Sequence, residues 1–192
     1  MSEVTRPSKG RPSPKMFISI GLGTVVAVAL ITVVSILTGG KVTSGGNAPN
    51  AALVGTHVKS FSLDGLKGGT QTSPWKTGHA SVLIFFASWC GPCQGEMPKV
   101  ATYIRTHNPS PVVVLGMDAN DPLGSARAFV KKDDVTFPVA FDSHGAVTSG
   151  VFGFQNIPET VFLNAKGVVT DVYYGAVPTK RLIAGIKSLR AT

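Results

Sequence analysis

The chain has 192 residues, 43% of them hydrophobic and only 15% charged, with a formal net charge of +8. That length suits about one domain, and the apolar content excludes general disorder. Two cysteines exclude both a disulfide-rich scaffold and a four-cysteine zinc site.

The charge is spread unevenly. Residues 1–15 carry four basic groups against Glu3, residues 16–38 carry none, and residues 39–192 carry 14 basic and 9 acidic groups. The basic groups of the last region stand singly or in pairs such as Lys131-Lys132, without interleaved aromatics. A solvated basic surface is therefore expected, and no nucleic-acid partner.

Residues 16–38, MFISIGLGTVVAVALITVVSILT, run without a charge. A helix of this length spans roughly 35 Å, more than a hydrocarbon core of about 30 Å. The spacing predicts one transmembrane helix, longer than the apolar core of a cleaved signal peptide. Four basic residues precede it and only Lys41 follows closely. The positive-inside rule then places residues 1–15 in the cytoplasm as a basic tail. Residues 39–52 are rich in Gly, Ser, Asn and Pro and read as a flexible linker. The expected working domain is 53–192, outside the plasma membrane, where disulfides persist.

Within that domain, Val58–Leu63 alternates and turns at Asp64-Gly65, as a short strand does. Ser81–Ala87 is a continuous apolar run expected as a central strand buried on both faces. Residues 93–107 show helical spacing, with Pro98 inside. Pro111–Met117 reads as a second buried strand, and Asp121-Pro122 as the cap and first turn of a helix to Lys132. Phe137–Phe141 reads as a strand, Ala146–Phe152 as a short helix, and Thr160–Leu163 with Val168–Tyr174 as a hairpin. Residues 178–190 read as a closing helix. This order predicts an α/β fold, a mixed central sheet with helices on both faces.

Both cysteines lie in Trp89-Cys90-Gly91-Pro92-Cys93, between a buried strand and a helix start. A helix amino terminus stabilises the reactive thiolate through its dipole and free N–H groups. Two intervening residues let one sulfur reach the other. Three readings stand side by side. A stabilising bridge gains roughly 2 kcal/mol from so short a loop, against nearly 5 for a loop of about 100 residues. A metal site needs further ligands, and His57, His79, His107 and His144 show no ligand spacing to the thiols. A redox-active pair needs nothing more.

The motif WCGPC after a buried strand resembles the thioredoxin superfamily. Pro98 lies where that superfamily kinks its active-site helix. Ile157-Pro158 resembles its cis-proline, and Gly175-Ala176 the turn before its last helix. Phe61–Gly65, Glu96-Met97-Pro98, Pro158-Glu159-Thr160 and the long segment of about 118–145 resemble the TlpA-like branch, of the DsbE (CcmG) and ResA type. Members are typically membrane-tethered thiol-disulfide oxidoreductases.

The resemblance implies a thioredoxin-like fold and a Cys90–Cys93 disulfide, with Cys90 as nucleophile and Cys93 as resolving thiol. It implies that Trp89, Gly91, Pro92, Ile157 and Pro158 shape the substrate groove, with the Ile157 backbone pairing to an extended peptide. Thioredoxins carry a buried Asp and a Lys where Ile84 and Val114 stand. Glu96 is the nearest replacement as proton acceptor for Cys93, and Glu159 can tune the thiols electrostatically; both also read as surface acids. The implied partners are cysteine-containing exported proteins, apocytochrome c among them, a membrane electron-transfer protein, and the bilayer through residues 16–38. No organic cofactor and no metal is implied. Reduction for cytochrome c maturation is the first expectation, oxidation of secreted proteins the second. A copper-binding module using Cys90, Cys93 and His144 and a peptide-binding adaptor are the rivals from other classes.

Overall fold

The structure is a computed structural model and describes residues 53–191. The expected cytoplasmic tail, the transmembrane helix 16–38 and the linker 39–52 lie outside the described residues. Among the described residues no helix is long and apolar enough to cross a membrane.

The elements follow in the order β1 Ser62–Asp64, β2 Thr70–Thr72, β3 Ser81–Phe86, α1 Gly91–His107, β4 Val113–Ala119, α2 Leu123–Lys132, β5 Val139–Asp142, β6 Glu159–Leu163, β7 Val169–Tyr174 and α3 Thr179–Arg190. Five strands form the central sheet in the order β5-β4-β3-β6-β7, while β1 and β2 pair as a small antiparallel sheet. Strands β3, β4 and β5 run parallel, and β6 and β7 are antiparallel to their neighbours. The mixed sheet is as expected. Strand β3 is central because SVLIFF offers branched and aromatic side chains to both faces, and all six residues are buried.

The three α-helices share one face, and only the single 3-10 turn Pro74–Thr77 packs on the other. Met97 and Val100 of α1, Ala126 and Phe129 of α2, and Leu182 and Ile186 of α3 pack in one layer with Val82, Ile84 and Phe86 of β3. Two successive parallel crossovers step in the same direction across the sheet. Right-handed connections then put α1 and α2 on the same face. The opposite layer is covered by Phe61, Trp75, Val147, Phe152 and Phe154, which pack on Leu83, Phe85 and Met117. Burying each such side chain contributes roughly 1.5–3 kcal/mol.

Three local expectations change. Asp121 does not cap α2; Pro122 holds the cap position and no side chain caps the helix. Residues 146–152 form hydrogen-bonded turns, such as Val151 N–H to Val147 O at 3.0 Å, instead of a helix element. The first strand is shorter, Ser62–Asp64, and its partner β2, with the sequence TQT, has no apolar residue to mark it.

Candidate active site

Strand β3 delivers the chain through Ala87 and Ser88 to Trp89-Cys90, and α1 begins at Gly91. Cys90 occupies the helix N-cap, and its Sγ accepts a hydrogen bond from the Cys93 amide at 3.2 Å. Pro92 sits in the first turn, where a missing N–H costs nothing. Cys90 and Cys93 are joined as a disulfide. Both sulfur-bearing residues are buried, Cys93 completely.

Opposite them, the Ile157–Pro158 peptide is cis. The Ile157 carbonyl oxygen lies 3.7 Å from Cys90 Sγ. The disulfide sulfur has no hydrogen to give, but a reduced Cys90 thiol can donate to that oxygen. The Gly175 amide donates to the Pro158 carbonyl at 2.9 Å, which ties the proline to the loop before α3.

A groove of about 500 Å³ opens beside the cysteines. Trp89, Cys90, Gly91, Pro92 and Ile157 are among the residues that line it. Trp89 is 58% exposed, and its Nε1 donates to the Asn120 carbonyl at 3.0 Å. It is a groove wall held by one bond, not a core residue. Pro158 is buried behind this surface.

Glu96 is not a surface acid. It is buried on α1, and one carboxylate oxygen accepts the Val177 amide at 2.8 Å. Burial pushes its pKa up to about 7, and the Val177 hydrogen bond only partly opposes that. Glu159 is buried as well, at the start of β6, in register with Phe85 and Tyr174. Burial raises it to about 7 too, and its Oε2 has no hydrogen-bond partner among the described residues. The two acids lie on opposite sides of the sheet: Glu159 points toward the layer of Phe85 and Val161, while α1 covers the other layer. Both can exchange a proton near neutral pH.

His144 is exposed and hydrogen-bonded to Ser143 Oγ at 2.8 Å. Among the described residues it does not join Cys90 and Cys93 in a group able to hold a metal.

Sequence reasoning missed the acids at the carboxyl ends of β4 and β5. Asp121 accepts from Ser88 N at 2.5 Å and Ser88 Oγ at 2.8 Å, which anchors the turn carrying the cysteines. Asp142 accepts from Thr148 N at 2.7 Å and Thr148 Oγ1 at 2.8 Å, which orders a second groove wall. Asp118 is fully buried within β4. The signal was present: an acid inside an otherwise apolar strand run is rarely buried without a reason.

Comparison with known proteins follows the same lines. The Redoxin family model matches residues 43–188. The thioredoxin-like protein YneN of Bacillus subtilis is 29% identical over 130 residues, covering 67% of this chain and 75% of that protein. The thiol-disulfide oxidoreductase ResA of Bacillus subtilis is 27% identical over 166 residues, covering 85% of this chain and 87% of that protein. Among solved structures, MTB dsbF in its mixed oxidised and reduced forms superposes with a TM-score of 0.60 at 28% identity. That superposition covers 67% of this chain and 94% of the other.

Proposed function

The chain belongs to the Redoxin family, and from that premise we propose that it exchanges its Cys90–Cys93 pair with cysteines of exported proteins while residues 16–38 hold it to the membrane. It is a thiol-disulfide oxidoreductase of the ResA and DsbE type, with a thioredoxin-like fold. The observation that carries the reading is the position of Cys90, at a helix N-cap on the edge of a groove, bonded to a buried Cys93.

In the reducing direction the Cys90 thiolate attacks one sulfur of a substrate disulfide. The other substrate sulfur leaves as a thiolate and takes up a proton. A mixed disulfide then joins Cys90 to the substrate. Cys93 loses its proton, attacks Cys90 Sγ and releases the second substrate thiol. Two electrons pass to the substrate, and Cys90–Cys93 closes. Glu96 lies one helical turn beyond Cys93 and titrates near 7, which suits it to take the Cys93 proton. Glu159, at the far side of the sheet, tunes the thiols through its charge.

We assign the reducing direction, in support of cytochrome c maturation, with a membrane protein returning the electrons. The two near-neutral acids and the family resemblance support this. Oxidation of secreted proteins is the second reading, since the same steps run in reverse.

The reduction potential of Cys90–Cys93 tests the direction by equilibration with glutathione or dithiothreitol. A value near about −270 mV, where thioredoxin lies, supports the reductase. A value of about −120 to −180 mV, the range of DsbA and disulfide isomerase, removes the cytochrome assignment and makes the protein an oxidant.

A further inference from the structure

One group in the site is left without a role by the exchange chemistry. Asp118 is 0% exposed, and neither of its oxygens has a hydrogen-bond donor among the described residues. It lies in register between Phe86 of β3 and Phe141 of β5. Its strand alternates so that Val114, Gly116 and Asp118 share the helix-covered face, where Met97 of α1 and Ala126 and Phe129 of α2 are apolar. The charged groups acting on it are Asp121, just beyond β4, and Asp142, at the end of β5. Among the described residues no cation offsets them.

Asp121 and Asp142 already have donors of their own. Both oxygens of Asp121 are taken by Ser88, and Asp142 holds Val147 and Thr148. A third carboxylate here would be buried, unpaired and next to like charges. With a proton, Asp118 becomes a donor, and Asp121 is the acceptor within reach. Burial, with the two neighbouring acids adding to it, keeps that proton on Asp118 up to about pH 8.

We propose that Asp118 is a positioning residue for Cys90: protonated, it donates a hydrogen bond to Asp121, and Asp121 holds Ser88 and the Trp89–Cys90 turn against the end of β4. The proposal rests on the exchange reading given above. Two further bonds fasten the same turn, Trp89 Nε1 to Asn120 O at 3.0 Å and Gln94 Nε2 to Ser88 O at 2.8 Å. Loss of the Asp118 proton sets two carboxylates side by side. The repulsion pulls Asp121 from Ser88 and loosens the groove wall at Trp89.

The test uses the full chain in its disulfide form, so that neither cysteine titrates. Trp89 and Trp75 are the two tryptophans, and Trp75→Phe leaves Trp89 as the reporter. Its fluorescence is followed from pH 6 to 9. We expect a step centred near pH 8, absent in Asp118→Asn, whose amide donates to Asp121 at every pH. Asp118→Leu removes the donor. It adds no charge beside Asp121, so it should show no step, and it should slow Cys90 attack on a model disulfide at pH 7 by up to about tenfold, as for one ordinary hydrogen bond. Asp118→Asn should restore that rate. A step that survives in Asp118→Asn, or no step in the parent, overturns the proposal. Exchange activity retained in Cys90→Ser would refute the exchange reading instead, and would leave the fluorescence step untouched.

Discussion

The Glu96 carboxylate on α1 accepts the amide hydrogen of Val177, 81 positions further along the chain, at 2.8 Å. One neutral donor does not replace the water that burial removes, so the side chain keeps its proton to about pH 7.

This has a consequence for stability. Glu96 releases its proton near 4.5 when unfolded and near 7 when folded. Between those values the folded state binds more protons, so stability falls as pH rises through the window and is fully retained below it. Glu96→Gln keeps an acceptor for Val177 and removes the titration. Chemical denaturation at pH 4.5 and 7.5 should show the pH-dependent loss reduced by about 2–3 kcal/mol in the variant. Glu159 acts in the same sense and leaves part of the slope. Equal slopes in parent and variant would contradict the assignment.

Single-cysteine variants separate the two thiols. Cys90→Ser should abolish turnover, because the remaining sulfur is fully buried at Cys93. Cys93→Ser should accumulate a mixed disulfide with substrate, visible as a mass shift that dithiothreitol reverses. Full exchange activity in Cys90→Ser would refute the order of attack.

Asp142→Ala strands the donors of Val147 and Thr148. The loss should be about 1–3 kcal/mol, read by thermal unfolding. Thr148 lines the groove. The variant should therefore also raise KM for a peptide disulfide more than it lowers kcat. A change confined to stability would show that this wall does not meet substrate.

Two glycines make opposite predictions. A Cβ on Gly185 of α3 would lie 2.1 Å from the Phe162 ring, so Gly185→Ala must move the helix off the sheet. We expect a cost of about 1–3 kcal/mol. A Cβ on Gly95, inside α1, meets nothing within 4 Å. Gly95→Ala should stabilise by roughly 0.5–1 kcal/mol. Thermal unfolding of both variants checks the pair.

Sheet and thiols were legible in the sequence for local reasons. Ser81–Ala87 and Pro111–Met117 are apolar runs, and the cysteines sit where a strand meets a helix. What local reasoning could not reach depends on distant segments. Glu96 reads as a surface acid until Val177 is brought to it from the loop before α3. Asp121 has the sequence of a helix cap, but Ser88 competes for its oxygens and takes them. The turns at 146–152 have helical hydrogen bonds but stop at Gly153, whose φ of 70° ends the run. Helix placement failed because element order alone does not say in which direction successive crossovers step across a sheet.

Most of the groove lining belongs to connections; Ala119 is the end of β4, and Gly91 and Pro92 open α1. Trp89 follows β3, Asn120 follows β4, and Thr148 through Ile157 bridge β5 to β6. The sheet beneath them is closed by its own hydrogen bonds and its two apolar layers. The segment 143–156 also gives Val147, Phe152 and Phe154 to the layer on Phe85, so a graft there has to keep those three apolar side chains if the sulfur pair is to keep its place.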